Sequence, residues 1–286
     1  MFEISETFCQ DAPVLRFAKY QGLGNDFIVI SRLEGNVALD AGTVRALCDR
    51  HRGVGADGVL TLWPDAVSDG RMQVQNADGS DTVMCGNGLR CLARYLHDEE
   101  IVASSRREVT LRAGTQTYPC TRISSDVYRV AMGAAIDEHP DLPNGASDDV
   151  VIEVGGRQFG ARCLWLGNPH AVIFSDESDP LDLAKAYGGA LESHRVFRNR
   201  ANITFARATD DGFDAAVHER GVGLTEACGS AACALGAAAV RKGLWGPSKP
   251  MQVRLPGGNL TISVDASGRV TMEGPAVRVF EGEVGS

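Results

Sequence analysis

The chain of 286 residues is short of positive charge: Lys and Arg number 28 against 37 Asp and Glu, a formal net charge of −9. No run of five basic residues occurs. Nucleic acids and anionic membrane surfaces are recognised by clustered cations, so neither is an expected partner. Long apolar runs are also missing, and none approaches the ~20 residues of a membrane-spanning helix. The opening MFEISETFCQ is acidic and has no apolar stretch of the secretory kind, which points to a cytoplasmic protein. No Cys-x-x-Cys spacing occurs among Cys9, Cys48, Cys85, Cys91, Cys120, Cys163, Cys228 and Cys233. At 44% hydrophobic residues the chain can build a full core. A disulfide scaffold is therefore not expected, and most of these thiols read as reduced, buried packing residues.

What the sequence does have is a repeat. LGNDFIVI at 23–30 resembles LGNPHAVIF at 166–174. Asn25 and Asn168 lie 143 residues apart, as do Asn76 and Glu219, and Cys85 and Cys228. RVAMGAA at 129–135 echoes RVTMEGPA at 269–276 at nearly the same offset. Half the chain length as a common offset predicts two related halves. Each half carries short alternating, β-branched segments: FAKYQ, DFIVIS, GVLTLW, RMQVQ, EVTLR, QTYPCTR and VYRVAM in the first. The second has DVVIEV, RQFGARCLWL, HAVIFS, ANITFA, FDAAVHE, MQVRL, NLTISV and RVTMEG. Closely spaced turn residues between them predict mainly antiparallel pairing. Further helices are expected at about 41–50 and 181–193, and the polar DEHPDLPNGASDD at 137–149 reads as the linker between halves.

In both halves a cysteine stands where a helix begins. After Cys85, residues Leu89, Leu92, Ala93 and Leu96 recur at helical spacing. After Cys228 an alanine-rich run ends in Arg241, Lys242 and Gly243, a helix stop. Unpaired amides and the positive end of the helix dipole meet at such a place, where a thiol pKa can fall from ~8.5 into the ~3.5–7.5 range. The same amides form an anion site, and Gly86, Gly88 and Gly229 let a ligand come close to the backbone. If the halves face one another, two thiols flank one bound carboxylate. One thiolate can then remove the α-proton while the opposite thiol delivers a proton to the other face, inverting the carbon.

Other readings stay open at this level. The C-x5-C and C-x4-C spacings put neither cysteine pair on one helix face, which speaks against a metal. A nucleophilic cysteine would need a histidine such as His51, His170 or His218, and would leave the duplicated thiol unexplained. Two facing thiols could also serve redox sensing, or simply be buried. GVGADG at 53–58 has the letters of a dinucleotide fingerprint but sits between a helix and a strand, the reverse of the required order. It reads instead as a tight loop. Asn25, Asn76, Asn87, Asn168, Asn202, Glu219 and Arg220 lie at loop and strand ends. Side by side, Glu219 and Arg220 could hold an ammonium and a carboxylate, which suits a substrate with a second amino-acid end.

Taken together, these segments resemble the diaminopimelate epimerase family. FAKYQGLGNDF, RHRGVGADG, NADGSDTVMCGNGLRC, GNPHAVIF, RNRANITFA, HERGVGLTEACGSAACA and MEGPAVRVF carry the resemblance over nearly all of the chain after about residue 14. It implies an α/β (α+β) fold of two pseudo-symmetric domains from an internal duplication, each a curved, mostly antiparallel sheet around a central helix. One domain would be 1–134 plus 276–286, the other 135–275, with the last strand returning to the first. The implied activity is interconversion of LL- and meso-2,6-diaminoheptanedioate without a cofactor or metal, with Cys85 and Cys228 as the acid–base pair. Gly86, Asn87, Gly229 and Ser230 would hold the reacting carboxylate, and Asn25, Asn76, Asn168, Asn202, Glu219 and Arg220 the distal end. A homodimer is common in the family. The chain departs from the pattern at Gly58, where some members have Gln, at Ala231 after CGS, and in the loose ANITFA. A proline or hydroxyproline epimerase would share the mechanism but would have no use for the distal shell.

Overall fold

A computed structural model describes residues 14–34, 38–143 and 149–285. The N-terminal extension up to residue 13 and part of the expected linker lie outside the described residues. The first half runs β1 (Val14–Gly22), β2 (Asn25–Ser31), α1 (Ala41–Cys48), β3 (Gly58–Trp63) and β4 (Gly70–Asn76). It continues with β5 (Asp81–Thr82), α2 (Gly86–Asp98), β6 (Glu108–Ala113), β7 (Gln116–Arg122) and β8 (Val127–Ala134). After β9 (Asp149–Val154) the order recurs as β10 (Arg157–Trp165), β11 (Pro169–Phe174), α3 (Pro180–Glu192), β12 (Asn202–Thr209) and β13 (Gly212–Glu219). Then come β14 (Gly223–Thr225), α4 (Gly229–Arg241), β15 (Met251–Leu255), β16 (Gly258–Val264), β17 (Arg269–Pro275) and β18 (Val277–Gly285).

The strand pairing repeats with the order. β2 runs parallel to β3, as β11 does to β12. β4 pairs in parallel with β6, as β13 does with β15. The other pairings are antiparallel, and β18 pairs with β1 as β9 does with β10. One strand contact closes the two sheets into one: β17 lies antiparallel to β8, from Arg269↔Ala134 to Pro275↔Val127. The fold is thus mixed α/β, a large curved sheet built twice, with α2 and α4 as the central helices.

Burial explains why those two helices are unlike α1 and α3. α2 buries Leu89, Leu92 and Leu96 completely, and α4 buries every residue from Gly229 to Ala239. Alanine loses no side-chain entropy on burial, so a helix enclosed on all sides can be packed tightly with it. Residues of both central helices share one apolar core with Met272, Val130 and Leu260. Smaller cores lie under α1 and α3. The expected helix stop is present: Lys242 caps α4, and Gly243 follows with φ 70°.

Beneath β1 and β2 lies a buried ion pair. Lys19 is 5% exposed and sits 2.7 Å from Asp26. Burial alone would raise the Asp26 pKa, but hydrogen bonds from Arg50 and Lys19 outweigh it and hold the carboxyl at about 2. Asp26→Ala would leave the Lys19 cation buried with the Gly55 carbonyl in place of a counter-charge, a loss of about 3–5 kcal/mol of stability. Urea unfolding of the variant beside the parent measures it. The pair also has a pH signature. Its contribution is present above the ordinary carboxylate range and is lost as pH falls towards 2.

Candidate active site

Cys85 and Cys228 are the N-cap residues of α2 and α4. Both have extended backbones, φ −136° and −124°, so each sulfur stands off the first helical turn. Cys85 Sγ accepts from the Gly88 N–H at 3.4 Å, and Cys228 Sγ lies 3.4 Å from Ser230 Oγ. The two helix starts abut. A Cβ on Gly86 would lie 3.7 Å from Gly229 Cα, and one on Gly229 would lie 2.8 Å from Met272 Sδ and 3.2 Å from Asn87 Oδ1. Glycine at 86 and 229 is what allows this approach. The Asn87 side chain ties the two ends together, its Nδ2 donating to Ala227 O across the halves at 3.2 Å.

These helix ends form the floor of a cavity of about 1050 Å³. All twelve residues singled out from the sequence line it: Cys85, Cys228, Gly86, Asn87, Gly229 and Ser230 on the floor, and the six polar residues on the walls. The walls are strand ends. Asn25 opens β2 and Asn202 opens β12, while Asn76 and Glu219 close β4 and β13. Two wall atoms, Asn168 Oδ1 and Asn202 Nδ2, are buried with no hydrogen-bond partner among the described residues. Asn76 Nδ2 donates to Ser80 Oγ at 3.0 Å, and Thr225 Oγ1 donates to Glu219 Oε1 at 2.6 Å.

Sequence reasoning missed several lining residues, among them Asp57, Ser80, Thr225 and Glu226. Asp57 was hidden in GVGADG, where attention falls on the glycines. It accepts from Asn25 Nδ2 at 2.9 Å and binds Arg50 at 2.8 Å. By contrast, none of His51, His170 and His218 lines the cavity. Burial lowers the His170 pKa to about 3, and His218 Nδ1 lies 3.3 Å from the buried Glu192. The single-nucleophile scheme therefore lacks its histidine.

The expected lowering of the thiol pKa values is corrected. Burial pushes Cys85 up to about 11, even with the helix-start amides of Gly88 and Asn87 acting the other way. Cys228 is also raised well above the ordinary thiol range, first by burial and then by the nearby Glu219 carboxylate. Burial raises Glu219 as well. Desolvation of a thiolate in an enclosed site outweighs a few favourable amides, and sequence shows the amides but not the enclosure.

The duplicated fold is shared with a group of solved structures. A hydroxyproline epimerase from Agrobacterium vitis, with bound trans-4-hydroxy-L-proline, superposes with a TM-score of 0.70 at 14% identity, over 95% of this chain and 92% of that one. A phenazine biosynthesis protein of the PhzF family from Bacillus anthracis gives 0.68 at 14% identity, over 95% and 99%. At that identity the likeness concerns the fold. Sequence narrows it further. The profile of the diaminopimelate epimerase family matches residues 17–136 and 163–279. The diaminopimelate epimerase of Desulforudis audaxviator is 41% identical over 278 residues, 94% of this chain and 99% of the relative. That of Cyanothece sp. is 42% identical over 281 residues, 94% and 99%. The chain belongs to the diaminopimelate epimerase family and is an isomerase.

Proposed function

We propose that the chain inverts the α-carbon of diaminopimelate, interconverting the LL and meso forms of 2,6-diaminoheptanedioate, with Cys85 and Cys228 as the two acid–base groups. The observation that carries the mechanism is the pair of abutting helix starts, each capped by a cysteine, on the floor of one cavity. The substrate's reacting carboxylate binds the amides of Gly86, Asn87, Gly229 and Ser230. One thiolate takes the α-proton, and the C–H electron pair spreads into the carboxylate. The two helix ends stabilise that charge. The opposite thiol then gives its proton to the other face of the carbon.

The distal amino-acid end binds the wall formed by Asn25, Asn76, Asn168, Asn202, Glu219 and Arg220. Mixed amide, carboxylate and guanidinium groups fit a second ammonium and carboxylate, and they have no role for a cyclic monocarboxylate. The chemistry needs only the two thiols, so the reading includes independence from pyridoxal phosphate. A homodimer in the cytoplasm belongs to the same reading, on the family resemblance. Among the described residues no helix is long and apolar enough to cross a membrane. Residues 1–134 with 276–286, and residues 135–275, would act as the two bodies whose cleft holds the substrate, an assignment supported by the pairing of β18 with β1.

Incubation with LL-diaminopimelate in deuterated water, without added cofactor, tests the proposal. Deuterium at the α-carbon together with appearance of the meso isomer is expected, and retention of both the hydrogen and the configuration sinks it. The pH dependence follows from the buried thiols. Both are neutral at rest, and the reactive pair is one thiolate and one thiol. Raising the pH creates the thiolate, so log kcat/KM is expected to climb with a slope of about one across the neutral range. A flat profile would contradict it.

A further inference from the structure

Two charged residues outside the thiol pair fix the orientation of the amides beside Cys85. Arg90, in α2, is fully buried. Its Nη2 donates to Asn87 Oδ1 at 2.9 Å and its Nε to Pro275 O at 3.1 Å, while Nη1 lies 3.3 Å from Met272 Sδ. A guanidinium can only donate, so the oxygen of Asn87 must face it. The Asn87 amino group is thereby turned to Asn25 Oδ1 and Ala227 O, each at 3.2 Å. At the other end, Asp57 Oδ2 receives Asn25 Nδ2 at 2.9 Å. A carboxylate can only accept, so the amino group of Asn25 must face Asp57 and its oxygen must point the other way. Both ends impose the same polarity on the chain between them.

The oxygen of Asn25 has one further neighbour, Cys85 Sγ at 3.9 Å. Asp57 cannot easily swing away. Its Oδ1 is held by Arg50 at 2.8 Å, its Oδ2 also accepts from the Asp26 N–H at 3.1 Å, and Arg50 grips Asp26 at 2.7 and 3.1 Å. Among the described residues, the second half has no such arrangement. The positions 143 residues beyond Asp57 and Arg90 are Arg200 and Cys233. Cys228 has Ser230 and Glu219 beside it instead. The duplicated fold therefore holds its two thiols in unlike ways.

We propose that Arg90 and Asp57 are positioning residues at the two ends of a directed hydrogen-bond relay, Arg90→Asn87→Asn25→Asp57, that presents the carbonyl oxygen of Asn25, and not its amino group, to Cys85 and so keeps Cys85 a thiol at rest. This rests on the reading of Cys85 as an acid–base group. The other groups facing that sulfur are the amides of Gly88 and Asn87, Glu219 from β13, and Arg90 itself, with the Cys91 thiol one turn deeper in α2. Through space the Arg90 cation favours a Cys85 thiolate. Through the relay it favours the thiol. The two effects have opposite signs, which makes them separable.

The test is the pH dependence of iodoacetamide alkylation of the whole protein, read separately for the Cys85 and Cys228 peptides by mass spectrometry. Gln and Asn side chains can present either face, so Arg90→Gln and Asp57→Asn each remove one of the two constraints on the relay's polarity, and the double variant removes both. Each single variant is expected to lower the Cys85 midpoint by about one pH unit and leave that of Cys228 in place. Arg90→Lys keeps a donor-only group and should keep the parent profile. A raised Cys85 midpoint in Arg90→Gln would mean that only the lost charge matters, and overturns the relay. Should Arg90→Gln fail to fold, Asp57→Asn at the cavity wall decides alone. Asp57 also acts on Glu219, the neighbour of Cys228, so a pure charge effect moves both thiols and the relay moves one. Equal shifts, or none, overturn it. Alkylation requires no turnover, so this result is independent of whether the epimerase reading succeeds.

Discussion

Cys85→Ala and Cys228→Ala should each abolish epimerisation of diaminopimelate, a loss of about 10³-fold or more, since each removes an acid–base group that nothing on its face of the carbon replaces. The deeper expectation concerns isotope exchange. A variant with one thiol left can still remove and return a proton on the face that thiol commands. In deuterated water it should exchange the α-hydrogen of one isomer without inverting it. Cys85→Ala should do so with one isomer and Cys228→Ala with the other. Near-normal turnover by either variant ends the two-base scheme. The change from sulfur to methyl is small, and circular dichroism would show that the fold is kept.

Much of the fold was legible because the duplication made each half a check on the other. The strand segments GVLTLW, QTYPCTR, DVVIEV and MQVRL coincide with β3, β7, β9 and β15 residue for residue. The cysteines fell at helix starts because Gly-rich punctuation before an apolar run is a local signal. What sequence could not convey depends on enclosure. The thiols rise in pKa because the cavity desolvates them, and no spacing of residues reports that. The two-residue β5 and three-residue β14 exist through pairing with β4 and β13 and carry no pattern of their own. Asp57 was invisible for a related reason. Its neighbours in the chain suggest a loop, and its importance comes from Asn25 and Arg50, which lie 32 and 7 residues away. The common offset identified residues that the duplication preserved, and Asp57, whose partner position is Arg200, is one that it did not.

Arg220→Met should raise KM for diaminopimelate on the order of 10²-fold with a smaller effect on kcat, since truncating one member of a charged contact typically costs 2–5 kcal/mol. The backbone at this point is held from two sides. The Arg220 N–H donates to Asn202 Oδ1 at 2.9 Å, and the Gly221 N–H donates to the buried carboxylate of Glu192 at 2.8 Å. The guanidinium itself makes no ion pair among the described residues; its Nη1 donates to Asn199 O at 3.5 Å. A rigid base carrying an unclaimed cation on a cavity wall suits capture of a carboxylate. Because Arg220 belongs to the distal wall, the loss should appear in binding and leave the proton transfers largely intact. An analogue lacking the distal carboxylate supplies the control: the parent and Arg220→Met should turn it over alike. If KM for diaminopimelate stays at the parent value, the second carboxylate is held elsewhere. If kcat falls and KM does not, Arg220 serves the reacting end, and the division of the cavity into a floor for chemistry and walls for recognition fails.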